Sequence, residues 1–120
     1  MNTQEIAQDL VKLCRNGQFA EAGEKYWADD VVSVEAGAPG GGDPVSRGKD
    51  AARGKGEWWE ANHEVHGVEV DGPYVNGDQF VVRFKMDVTP KGGERMTMDE
   101  MAVYTLKDGK IAEERFFYGG

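Results

Sequence analysis

An α+β domain, with helices first and an antiparallel meander after them, is what these 120 residues predict. Three observations carry the prediction. Apolar residues recur at helical spacing near the start of the chain and again around the paired tryptophans at 58 and 59. From His63 onward the period changes to two. The alternating stretches are cut by tight-turn signals, Asn76–Gly77 and "KDGK" at 107–110. The length suits one domain, residues 1–120, which buries about two thirds of its unfolded surface around a single core.

Ile6, Ala7, Leu10, Leu13 and Cys14 share one face of a helix over 3–16, which Asn2 or Thr3 can cap and Gly17 can close. Phe19, Ala22, Gly23 and Tyr26 continue the pattern in a second short helix to about Trp27, so the two helices form a hairpin. "DDVVSVEAG" sets acidic turn residues before a β-branched run and predicts a strand at about 31–36. "GAPGGGDPVS" follows neither period and reads as a loop, a mobile rim. It is no phosphate cradle, because the lysine–serine pair of such a loop is missing.

Ser46 can cap a third helix over roughly 47–61. Ala51, Lys55, Trp58 and Asn62 fall on one face of it, with Ala52, Trp59 and His63 beside them. Gly48, Gly54 and Gly56 each weaken that helix by about 1 kcal/mol relative to alanine. Burial of both tryptophan rings is therefore expected to compensate. Residues 64–75 read as a strand interrupted at "DGP". Phe80, Val82, Phe84, Met86 and Val88 then alternate with Val81, Arg83, Lys85 and Asp87. "TPKGGE" reverses the chain, 95–106 return, and 110–118 complete the meander. With apolar residues on both faces, the meander is expected to curl around the helices into an open cone whose outer face is available to a partner subunit.

The formal net charge of −8 and pI near 4.7 argue against nucleic acid and against an anionic membrane surface as partners. The N-terminal "MNTQEIAQDL" has neither a basic nor an apolar leader region, and no apolar run approaches a membrane span; the expected location is the cytoplasm. Cys14 is the single cysteine and sits in an apolar stripe, as a buried small hydrophobe.

Chemistry concentrates in "WWEANHEVHG" at 58–67 and in two later strands. His63 and His66 are three apart where helix gives way to strand, which is not the four-residue spacing of a helical zinc motif, so no metal is expected. Strand parity places His66 inside with Val68 and Val70, either as an acid or base or as a core histidine bonded to a carboxylate or carbonyl. The same parity turns Met96, Met98, Glu100, Ala102 and Tyr104 inward, and likewise Ala112, Glu114, Phe116 and Tyr118. On neighbouring strands Glu100 and Glu114 are expected within a few ångströms of each other. They serve either as carboxyls with raised pKa or as members of a structural network with Arg83, Arg95 or Arg115. Tyr26, Trp58, Trp59, Phe84, Met98 and Tyr118 can wall a pocket for a flat apolar ligand or simply form core, with Trp59 packing inside and Trp58 lining the cavity, or the reverse.

Three stretches, "YWADDVVSVE" leaving the second helix, "RGKDAA" opening the third and "YTLKDGKIAEERFFY" as the closing hairpin, carry a resemblance that spans nearly the whole chain. In them the chain resembles the nuclear transport factor 2-like superfamily, and within it the SnoaL-like proteins. The resemblance implies a cystatin-like cone with three N-terminal helices packed in a strongly curved, mainly antiparallel sheet. It also implies a small, mostly apolar ligand in the cone's mouth and a homodimer through the sheet. Its members include isomerases, cyclases, dehydratases, hydrolases and non-enzymatic carriers. Laid on ketosteroid isomerase, the motif puts the catalytic base at Glu35 and a last-strand aromatic at Tyr118. The two oxyanion donors fall on Ala102 and near Leu10, which can donate nothing, so the resemblance implies some chemistry other than steroid isomerisation. A one-residue slip of register would turn Glu35 outward.

The expectation is thus a cofactor-free SnoaL-like enzyme acting on a small apolar or carbonyl-bearing molecule by proton transfer or water addition. Glu35 or His66 would be the base and Glu100 or Glu114 the protonated acid or orienting partner. Asn62 and Tyr118 would be donors, and His63 and Phe116 further ligand contacts. Its rivals are a carrier or sensor using the same pocket without turnover, and a dimerising module with a solid core.

Overall fold

The computed structural model of the chain describes residues 1–37 and 42–119; the centre of the glycine-rich loop, 38–41, where a mobile rim is expected, lies outside them. Helix α1 (Thr3–Arg15) opens in a capping box. Asn2 accepts from the Glu5 N–H at 2.8 Å, and Glu5 accepts from the Asn2 N–H at 3.1 Å. It closes at Gly17, whose φ of +75° lets the Gln18 N–H return to the Leu13 carbonyl at 2.9 Å. Helix α2 (Phe19–Tyr26) folds back on it, with Lys25 paired to Asp9 at 2.6 Å and the Tyr26 hydroxyl donating to the same carboxylate.

Strand β1 (Trp27–Val34) starts where α2 ends, earlier than the sequence predicts. Ser46 caps no helix. It lies in a short strand, β2 (Val45–Arg47), opposite Ser33, because the free edge of β1 recruits the far end of the glycine-rich loop. Helix α3 (Lys49–Asn62) begins only after Gly48, whose φ of +92° and N–H bond to the Val31 carbonyl at 2.7 Å turn the chain off the sheet.

The meander is β3 (His63–Asn76), β4 (Gln79–Pro90), β5 (Met96–Lys107) and β6 (Lys110–Phe117). The six strands form one curved sheet in the order β2-β1-β6-β5-β4-β3, antiparallel except where β1 runs parallel to β6. Across β4 and β5 the register faces Phe80 with Tyr104, Val82 with Ala102, Phe84 with Glu100 and Met86 with Met98, so the predicted inward set holds on those strands except at Met96, which is exposed. Helix α1 packs across β3 and β4, and Arg15 fixes its end by two bonds, 3.0 and 3.2 Å, to the Val70 carbonyl.

Three irregularities depart from simple alternation. "DGP" does not interrupt β3; a bulge between Asp71 and Tyr74 absorbs it, with Gly72 at φ +121° so close to β4 that a Cβ would lie 3.0 Å from the Val81 carbonyl. A second bulge, between Val65 and Gly67, moves His66 off the inner face. A third shifts β6 so that Ile111, not Ala112, pairs with Leu106 and is buried. No helix among the described residues is long and apolar enough to cross a membrane.

The link between α2 and the sheet is tight at one point. A Cβ on Gly23 would fall 2.5 Å from the Trp27 ring, and that ring holds a buried carboxylate described below. Gly23→Ala is expected to destabilise the fold by about 1–2 kcal/mol in urea unfolding, because overpacking outweighs alanine's roughly 1 kcal/mol helix advantage.

Candidate active site

The helices cover the concave face of the sheet without filling it, and they leave a cavity of about 680 Å³. That is ample for a metabolite, since small-molecule sites run to roughly 300–1,000 Å³. Leu10, Phe84, Met86 and Phe116 contribute apolar wall; Trp58, Trp59 and His63 line the side formed where α3 meets β3. The His63 ring stacks on Trp59 at 4.3 Å, and its Nδ1–H donates to the Trp59 carbonyl at 2.7 Å.

Into this hollow projects one continuous polar chain. Val31, Ser33 and Glu35 alternate inward from β1, and the parallel pairing sets Ser33 beside Glu114 of β6. Glu114 is buried. One of its oxygens accepts from the Trp27 indole N–H at 2.8 Å and the other from the Ser33 hydroxyl at 2.7 Å. Ser33 has thereby used its only hydrogen, so its oxygen accepts from the Lys55 ammonium. Lys55 reaches down from α3 to Glu35 at 2.7 Å and lies 4.9 Å over the Phe116 ring. Glu35's second oxygen accepts from the Tyr118 hydroxyl at 3.2 Å, which itself accepts from the Gly37 N–H at 3.3 Å. The Glu35 N–H donates to the Pro44 carbonyl at 2.9 Å, which locks the inward register.

Burial raises the Glu114 pKa in spite of its bonds from Trp27 and Ser33 and the nearby Lys55 charge. Burial also pushes the Glu100 carboxyl up to about 7; the Glu35 charge adds to this and Lys55 opposes it. The Tyr118 phenol is raised as well, by burial first.

Of the residues singled out in the sequence, Glu35, Glu114, Trp58, Trp59, His63, His66, Phe84 and Phe116 line the cavity. Others do not serve as expected. His66, displaced by its bulge, stands at the exposed edge of the cavity and bonds through Nε2 to the Thr89 hydroxyl at 2.8 Å instead of to Glu35, Glu100 or Glu114. Glu100 faces inward but stands opposite Phe84, whereas Glu114 stands opposite Tyr104. Four residues of strand, roughly 13 Å, therefore separate them, and Glu35 is the acidic neighbour of both. Arg83, Arg95 and Arg115 pair with Asp99, Asp87 and Glu113 instead of the inner carboxylates. Tyr26 is core, its hydroxyl taken by Asp9. The Asn62 amide is spent on the Trp58 carbonyl at 2.7 Å, and Met98 packs against the core beyond the cavity wall. Tyr118 stands behind the cavity wall and donates its hydroxyl to Glu35. Trp58 is 42 % exposed, so burial of both rings does not offset the helical glycines; Ala52 is the single buried residue of α3, which spans a hollow.

Three participants were not singled out: Lys55, Ser33 and Trp27. Ser33 shares strand parity with Glu35, and Lys55 shares a helical face with Trp58, so both signals stand in the sequence. Nothing local announces the Trp27–Glu114 bond, which spans 87 positions.

The SnoaL-like domain model matches residues 1–118, and the chain belongs to that family. A protein from Mesorhizobium loti described as a SnoaL-like polyketide cyclase, with carbohydrate phosphatase as a bracketed description, is 59% identical; the match covers 98% of this chain and 100% of that one, with a TM-score of 0.93. An isomerase-described protein from Bacillus subtilis (18% identity, 99% and 90% covered, TM-score 0.81) and TerC co-crystallised with polyporic acid (19%, 98% and 91%, 0.75) share the fold. No curated protein matches significantly.

Glu100 carries a consequence for stability. Its folded pKa of about 7 exceeds the ordinary 4.5 of a glutamate, so the unfolded chain releases its proton first, and the native state loses stability as pH rises from about 4.5 to about 7. Glu100→Gln is expected to remove that decline: similar stability at pH 4 and a gain of up to about 3 kcal/mol at pH 8, read from urea titrations at the two values.

Proposed function

We propose that this SnoaL-like protein is a cofactor-independent enzyme that moves a proton on a small, mostly apolar, carbonyl-bearing molecule held in the cavity. The observation that carries the reading is the Glu35–Lys55 pair, 2.7 Å apart, on the wall of an otherwise apolar hollow. Glu35 is the base that removes a proton from carbon next to the carbonyl, and the Lys55 ammonium offsets the negative charge that develops on oxygen. Ser33, with Glu114 behind it, orients Lys55, and Tyr118 orients Glu35. Glu100, half protonated near neutrality beside Glu35, limits the negative charge gathered there. The cyclase and isomerase descriptions of similar proteins support this class of chemistry. A phosphate ester suits the site poorly: Glu35 and Glu114 would repel it, and the wall's cations, Lys55 and Arg53, are already paired with carboxylates.

The test is hydrogen–deuterium exchange at the α-carbon of 1-indanone and 2-acetonaphthone in D2O, followed by NMR. The natural protein is expected to accelerate exchange, and Glu35→Gln to slow it by at least about 100-fold. Equal rates with both proteins would remove Glu35 from the role. A carrier is the second reading, favoured by the fact that among the described residues no sealed side-chain polar atom lacks a partner. Binding without any exchange selects it. The homodimer through the sheet is likewise our reading, supported by Met101 and Phe117, which pair on the outer face and are exposed. Light scattering is expected to give twice the 13.2 kDa chain mass, and Met101→Glu to lower it.

A further inference from the structure

We propose that the Tyr104 hydroxyl is the donor that holds the ligand's carbonyl oxygen against the cavity wall. The proposal rests on the reading that the cavity takes a carbonyl-bearing molecule. Tyr104 stands in β5 with Phe80 and Glu114 as its cross-strand partners, and it lines the cavity. Its ring stacks on Phe80 at 4.9 Å and is only 5 % exposed, so its direction is fixed by packing.

The other tyrosines all spend their hydroxyls on carboxylates: Tyr26 on Asp9, Tyr74 on Asp71 and Tyr118 on Glu35. Tyr104 makes no such bond among the described residues. Glu114, opposite it, has each oxygen engaged already by Trp27 or Ser33. A buried hydroxyl without a partner is costly. Yet among the described residues no side-chain nitrogen or oxygen is both sealed and unpaired, so the phenol oxygen opens into the hollow. There Leu10, Phe84 and Phe116 have nothing to bond it.

Burial first, then the nearby Cys14 and Glu114, hold the phenol's pKa well above its usual value. It therefore remains protonated and acts as a hydrogen-bond donor rather than a base. A carbonyl oxygen bonded there is polarised toward negative charge, the change that proton loss to Glu35 requires.

The experiment compares matched probes, 2-acetonaphthone and the carbonyl-free 2-ethylnaphthalene, on the natural protein, Tyr104→Phe and Glu35→Gln. Calorimetry gives affinities, and the infrared carbonyl stretch of the bound ketone reports the bond directly. The natural protein is expected to prefer the ketone by about tenfold and to shift its stretch to lower frequency. Tyr104→Phe should lose both the preference and the shift while binding the hydrocarbon unchanged, and Glu35→Gln should keep both. Its melting temperature should match the natural protein's, because the hydroxyl it lacks supports no internal bond. A preference and stretch unchanged in Tyr104→Phe would overturn the assignment and leave the cavity reading standing. Failure of the natural protein to bind either probe would overturn the cavity reading, and this proposal with it.

Discussion

An ammonium group placed between a serine and a carboxylate holds the interior together. Ser33, Glu35 and Glu114 would be costly in a greasy hollow without a compensating charge. Lys55 supplies it, from a helix that has few other contacts with the core. The bond also explains why α3 tolerates its glycines. The sheltered Lys55–Glu35 pair ties that helix to the sheet, where the sequence leads one to expect two buried indoles, and the exposed contacts of Lys49 and Arg53 with Glu24 add little. The ring of Phe116 completes the setting by giving the ammonium an apolar, electron-rich floor.

Charge is sorted by face. On the outside, Arg83, Arg95 and Arg115 meet Asp99, Asp87 and Glu113 in water, where each pair adds little to stability. Inside, three carboxyls share one lysine, and burial, which that single cation does not offset, raises the pKa of Glu100 and Glu114. The inner surface thus combines an ion pair with carboxyls whose pKa burial raises, the mixture that proton-transfer sites use.

The fold was legible because period and turn chemistry agree along most of the chain: the capping box at Asn2, the Asn76–Gly77 turn and the alternation from Phe80 to Val88 all appear where the residues place them. The errors of facing have one cause. Parity counting assumes an unbroken strand, and bulges at His66 and beside Ile111 each add a residue, which turned His66 out and exchanged Ala112 for Ile111 on the inner face. Glu114 was legible from parity, and Glu35 from the family resemblance. Their true partners were not, because Trp27, Ser33 and Lys55 meet Glu114 or Glu35 only through pairings that tertiary structure decides.

The parallel pairing of β1 with β6 has a further consequence for the order of assembly. The Ser33–Glu114 bond closes a span of 81 residues, a loop whose entropy alone costs about 4 kcal/mol, whereas β3, β4 and β5 zip up from neighbour to neighbour. A chain still being synthesised can pair β3, β4 and β5 before the residues of β6 that meet β1 exist. The polar chain that runs from Glu114 through Ser33 and Lys55 to Glu35 is therefore complete only once the closing strand has docked beside β1.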